Sequence, residues 1–107
     1  MNKHRHNYCL EKLSDAIIQL AVGEGDVRSR LHDAYMCFHT LKTNDFPEHL
    51  QTEWDWIIKS LTKEEHTLDH KGEVLHGRLR NTLWKMRNKT GRKIAMKIVM
   101  LYYRISE

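Results

Sequence analysis

Between Tyr8 and Val22 the apolar residues Leu10, Leu13, Ile17, Leu20 and Ala21 recur at intervals of three and four. That period places them along one side of a helix. Gly23-Glu24-Gly25 ends the pattern, as glycines do at helix C-termini. Asp26 follows and offers a side-chain acceptor to the first amides of a second helix. This second helix is predicted to run to about Lys42, with Val27, Leu31, Ala34, Tyr35, Phe38 and Leu41 facing inward. So short a link makes the two helices an antiparallel hairpin.

Thr43-Asn44-Asp45-Phe46-Pro47 is the clearest boundary, polar turn formers running into a proline suited to the start of a helix. A third helix is predicted over 47–60, with Leu50, Trp54, Ile57 and Leu61 as its stripe and Trp56 off it. Thr62-Lys63-Glu64-Glu65 has the form of a capping box. It predicts a fourth helix reaching Arg87, with Leu68, Leu75, Leu79, Leu83 and Met86 on one face. Gly72 lies on that face, as a break or a close helix contact. Asn88 ends this helix and Thr90 caps the last one.

The last helix is the most apolar. Ile94, Ile98, Leu101 and Ile105 line one flank, and Ala95, Val99 and Tyr102 continue it. Lys93, Lys97 and Arg104 fall within roughly 40° of one another with Met100 beside them. A helix with so narrow a polar strip is normally covered on most sides. The expected fold is all-α: a single small bundle of four to five helices, residues 1–107 as one domain, with the C-terminal helix central.

Composition supports that picture. With 107 residues, one proline and five glycines, the chain is long enough to bury a core without metal or disulfide. It has no run of 18 apolar residues, hence no membrane span and no membrane partner. The basic N-terminus lacks the apolar core of a secretion signal. The chain therefore reads as cytosolic and bacterial, with Cys9 and Cys37 as reduced thiols.

Charge is distributed unevenly. Residues 1–70 hold 8 Lys/Arg against 12 Asp/Glu, a net of −4. Residues 71–107 hold 10 against 2, a net of +8. Either the basic part meets an anionic partner or the two parts neutralise each other across the fold. Arg80, Trp84 and Arg87 are spaced i, i+4, i+7 on the side of the fourth helix away from Leu75, Leu79 and Leu83. The turn from Asn88 to Lys93 adds Lys89, Arg92 and Lys93. These six residues are the candidate nucleic-acid contacts, made to phosphate rather than to base edges. Trp84 itself is expected to pack against another helix or a dimer partner.

Catalytic signals are thin. His66 and His70 stand i, i+4 with carboxylates nearby, the weak candidate for a metal pair if the segment is helical. Cys9 and Cys37 have no base partner in view and read as small hydrophobes. Arg28 and His32 are too close together for the arginine-to-histidine spacing of HEPN-type nucleases. No cofactor fingerprint is present. The function expected is that of a non-enzymatic protein-interaction or regulatory bundle, with a protein partner or a homodimer. The contact surface would be Trp56, Trp84, Met96 and Tyr103. The alternative is a nucleic-acid-associated protein using the basic C-terminal hairpin.

Overall fold

Asp26 sets the first boundary of the fold. Its carboxylate accepts the backbone N–H groups of Arg28 at 3.0 Å and Ser29 at 3.2 Å, which satisfies two donors the helix itself leaves open. In the computed structural model, which describes residues 3–107, this cap separates α1 (Lys3–Val22) from α2 (Val27–Phe38). The two helices run antiparallel, and the Tyr8 hydroxyl hydrogen-bonds that of Thr40 at 3.1 Å to close the far end. Second comes a pair of 3-10 turns, Thr43–Asp45 and Glu48–Leu50, leading into α3 (Gln51–Leu61). A hairpin of β1 (Thr67–Leu68) and β2 (Val74–His76) then precedes α4 (Arg78–Lys85) and α5 (Asn88–Ser106). Five α-helices and one small antiparallel hairpin among the described residues make the fold an all-α bundle.

α5 packs against α1, α2 and α3, and α4 lies across α2 and α3. Ile94, Ile98 and Leu101 of α5 are buried among Leu13 and Ala16 of α1, Leu31, Ala34 and Phe38 of α2, and Trp54, Ile57 and Leu61 of α3. The C-terminal helix is thus central, as its apolar flank requires. Trp54 is clamped by Phe46, stacked at 4.5 Å, and Phe38, edge-on at 5.1 Å.

The segment 62–77 departs from expectation. It is a loop and hairpin, not the first half of a long fourth helix. Thr62 caps the end of α3, where its hydroxyl donates to the Ile58 carbonyl at 2.7 Å. The Glu64 amide bonds the Thr82 hydroxyl instead of closing a capping box. The reason is local turn chemistry. Asp69 accepts the Lys71 and Glu73 amides at 2.8 and 3.0 Å. Gly72 sits at φ +80°, a conformation that glycine alone adopts without strain. Leu68 and Val74 are exposed, so the apolar face of this region rests on Leu79, Leu83 and Met86. The side chain of Leu75 lies outside the described residues. α2 also stops at Phe38 rather than Lys42, although Leu41 stays buried.

The last helix begins three residues earlier than a Thr90 cap implies. Met86 and Arg87 are extended, and α5 starts at Asn88. Gly91 therefore falls in its first turn, buried against α2. A Cβ there would lie 2.8 Å from Val27 Cγ1 and 3.4 Å from Leu31 Cδ1. Val27 is branched next to its backbone and has little room to turn. Gly91→Ala is accordingly expected to destabilise: about 1–3 kcal/mol of overpacking outweighs the roughly 1 kcal/mol that alanine adds to a helix. Urea unfolding of the variant checks the sign, which is opposite to that of the same change on an exposed helical site.

Candidate functional site

Three acidic residues from the first part of the chain neutralise three basic residues of the second. Glu65 pairs with Arg78 at 3.0 Å, Glu64 with Lys85 at 3.0 Å and Glu53 with Arg104 at 2.6 Å. The charge asymmetry is thus only partly cancelled inside the molecule. Arg80, Arg87, Lys89, Arg92, Lys93 and Lys97 are exposed and take part in no ion pair among the described residues.

Of the six predicted nucleic-acid contacts, Arg80 and Trp84 line one groove, Arg87 another and Lys93 a third. α4 ends at Lys85, so the strip through Arg80, Trp84 and Arg87 is broken before its last member. Arg80 stays with Trp84, its guanidinium 5.7 Å from the indole centre. Trp84 is 67% exposed, with His76 edge-on at 6.3 Å; of the two expected places for it, the helix packing is absent and the surface position is the one observed. Leu83 beside it faces the core and leaves the indole on the outer side of α4. Arg80 and Trp84 line an open groove of about 380 Å³ with Asp26, Arg28, Ser29 and His32 of the neighbouring helix start. Arg28 there is already engaged by Asp26 at 2.9 Å and donates to the Met86 carbonyl. Arg87 lines a separate groove with Ser60, Lys63, Glu64 and Thr90. Lys93 is turned toward α3, where Lys93 and Lys97 lie 5.7 and 5.8 Å from the Trp56 ring centre.

The open face of α5 is a continuous feature. Lys89, Lys93, Met96, Met100 and Tyr103 follow one another at steps of four, three, four and three, and all are exposed. Met96, Met100 and Tyr103 retain 61%, 50% and 61% of their surface. Arg92 borders this seam on one side, and Lys97 and Arg104 border it on the other. Trp56, exposed as predicted, extends it onto α3. A seam of this spacing is what one helix offers another in side-by-side packing. Sequence reading found Met96, Met100 and Tyr103 individually; Lys89 and Lys93 as members of the same seam were readable from the spacing alone.

The histidine pair loses its geometric basis. His66 lies before β1 and His70 in the hairpin turn, both exposed, so the helical i, i+4 relation does not hold. Asp69, between them, is committed to the turn amides. No cluster of three or more potential metal-ligating side chains occurs among the described residues. Cys9 is buried and donates its thiol hydrogen to the Asp45 carbonyl at 3.1 Å. Burial, and then the Asp45 charge, push its pKa up to about 12, so it holds no thiolate near neutrality and is a poor nucleophile. Cys37 is raised in the same direction by burial and by Asp15 and Asp33.

Two carboxylates shift downward. The Arg104 hydrogen bond lowers Glu53, and the Arg28 hydrogen bond with the Ser29 amide lowers Asp26. A depressed folded-state value stabilises the fold above the ordinary values of 4.5 and 3.8, and the contribution drains as pH falls through the depressed ones. The urea midpoint is therefore expected to drop between pH 6 and about pH 2–3. Glu53→Gln should lose part of its stability at pH 6 and show a shallower fall. An equal fall in variant and wild type would assign the acid sensitivity elsewhere.

No described helix is long and apolar enough to cross a membrane. Set against protein-family models, curated proteins and solved structures, the chain matches none.

Proposed function

We propose that the protein is a small non-enzymatic interaction bundle, acting in the cytoplasm, that receives a partner helix on the open face of α5. The exposed seam from Lys89 to Tyr103 carries this reading. Phosphate contacts need no Met96, Met100 or Tyr103 on the outside of the helix, whereas a docking helix does. Methionines suit such a surface because their unbranched side chains repack around a partner. Lys89, Arg92, Lys93 and Lys97 set its charge. Two copies of α5 laid face to face would oppose these cations with themselves, which costs affinity. The partner helix therefore has an apolar stripe with acidic residues within or beside it.

Three labelled helical peptides test this: apolar stripe with Glu flanks, the same stripe with Lys flanks, and a Glu-rich helix lacking the stripe. The first alone is expected to bind in fluorescence anisotropy, and Met96→Asp/Met100→Asp is expected to abolish it. Both positions are exposed, so the variant should keep wild-type stability within about 0.5 kcal/mol per site. Absence of binding, or equal binding of the stripe-less peptide, overturns the reading.

A second reading rests on the unpaired cations Arg80, Arg87, Lys89, Arg92 and Lys93. It takes the protein as nucleic-acid-associated through phosphate contacts. About four contacts give a log–log salt slope near −3.6, and Lys89→Ala/Arg92→Ala/Lys93→Ala should flatten it by about 2–3 units. A wild type that ignores duplex and single strand at low salt removes this reading.

A further inference from the structure

The outer face of α1 has the same construction as that of α5, with the opposite charge. Tyr8, Glu11, Asp15, Ile18 and Val22 follow at steps of three, four, three and four, and all five are exposed. They form one continuous seam about 21 Å long at 1.5 Å per residue. Its inner counterpart, Cys9, Leu13 and Ala16, is buried in the core, so packing within the bundle uses the outer seam only at Tyr8, whose hydroxyl bonds Thr40 and whose ring lies 5.4 Å from the Lys12 ammonium. Neither Glu11 nor Asp15 enters an ion pair among the described residues. On α5 the cations of the matching seam, Lys89 and Lys93 with Arg92 and Lys97 beside it, are likewise unpaired. One molecule thus presents an acidic, partly apolar helix seam and a basic, partly apolar one, both of heptad spacing.

We infer that the helix docking on α5 is α1 of a second copy of this chain, an inference that rests on the docking reading above. Tyr8, Ile18 and Val22 cover Met96, Met100 and Tyr103, and Glu11 and Asp15 meet Lys93, Lys97 and Arg92. The contact is between unlike surfaces, so it avoids the repulsion of α5 against α5. α1 and α5 are packed neighbours in one copy; exchanged reciprocally, the two unlike seams close a two-fold dimer, and joined head to tail they build a longer array.

Sedimentation velocity and light scattering across a concentration series test the pairing through charge reversal. Wild type is expected to form a species of at least twice the 12.8 kDa monomer mass. Lys93→Glu/Lys97→Glu and Glu11→Lys/Asp15→Lys are each expected to raise the concentration of half-dissociation at least about tenfold. Each variant alone opposes like charges. Mixed one to one, they offer acid to base at both contacts, and association is expected to return. Association of both variants at wild-type strength, or no recovery on mixing, overturns the inference. A wild type that stays monomeric yet binds the Glu-flanked peptide removes the second copy as occupant and leaves the docking reading standing. A monomer that binds no peptide removes both.

Discussion

Trp54→Ala is expected to lower the unfolding free energy by about 3–5 kcal/mol, the range for removing a buried indole. The ring is fully enclosed, with Phe46 flat against one face and Phe38 edge-on. Its loss removes both aromatic contacts and leaves a cavity where the 3-10 turns meet α2 and α3. A domain of this size has about 5–15 kcal/mol in total, so the variant would sit close to the unfolding threshold. Trp56, two residues along, is the control. It keeps 38% of its surface and carries Lys93 and Lys97 over its ring, so Trp56→Ala should cost about 1 kcal/mol or less. Urea midpoints followed by far-UV circular dichroism compare the two. Similar midpoints would mean that the aromatic cluster is not part of the core.

The second large effect belongs to α5. Ile98→Ala and Leu101→Ala are each expected to cost about 2–5 kcal/mol, because neighbouring helices on three sides cannot collapse into the space left. Lys97→Ala, next to Ile98 in sequence, should stay within about 0.5 kcal/mol. Its side chain lies on the surface over Trp56, and the loss there is a weak, solvent-screened contact. Three equal midpoints in urea would place the core elsewhere. The comparison separates the two faces of one helix, which the docking proposal also requires: its buried side holds the fold, and its open side is free to change.

Where local pattern and tertiary demand coincide, the sequence was legible. The inward faces of α1, α2, α3 and α5 were readable because an apolar period near 3.6, sustained over ten or more residues, arises when one side of a helix is buried. The Asp26 cap was readable because its partners lie two and three residues away. The segment from Thr62 to Gly77 was misread for the converse reason. Its leucines matched a helical face over a long window, and Thr62-Lys63-Glu64-Glu65 matched a cap. The competing signal, Asp69-His70-Lys71-Gly72, was a turn that satisfies its own amides, and it prevailed. That turn also dissolved the His66 and His70 pair, whose geometry existed only on a helix.

By itself, then, the sequence determined the helical architecture, most of the core positions (on α1 Ala21 is exposed, and Cys9 and Ala16 are buried instead) and the central place of the last helix, since periodicity, capping and burial of apolar stripes act over a few residues. Only the tertiary structure decided which charges remain available. Arg78, Lys85 and Arg104 look no different in sequence from Arg80, Arg87 and Lys93, yet the first three are neutralised by Glu65, Glu64 and Glu53. It also decided that Gly91 touches Val27 and that the α1 and α5 seams both face away from the core. Ion pairing and exposure depend on groups brought together from distant parts of the chain, and no local pattern encodes which neighbours those will be.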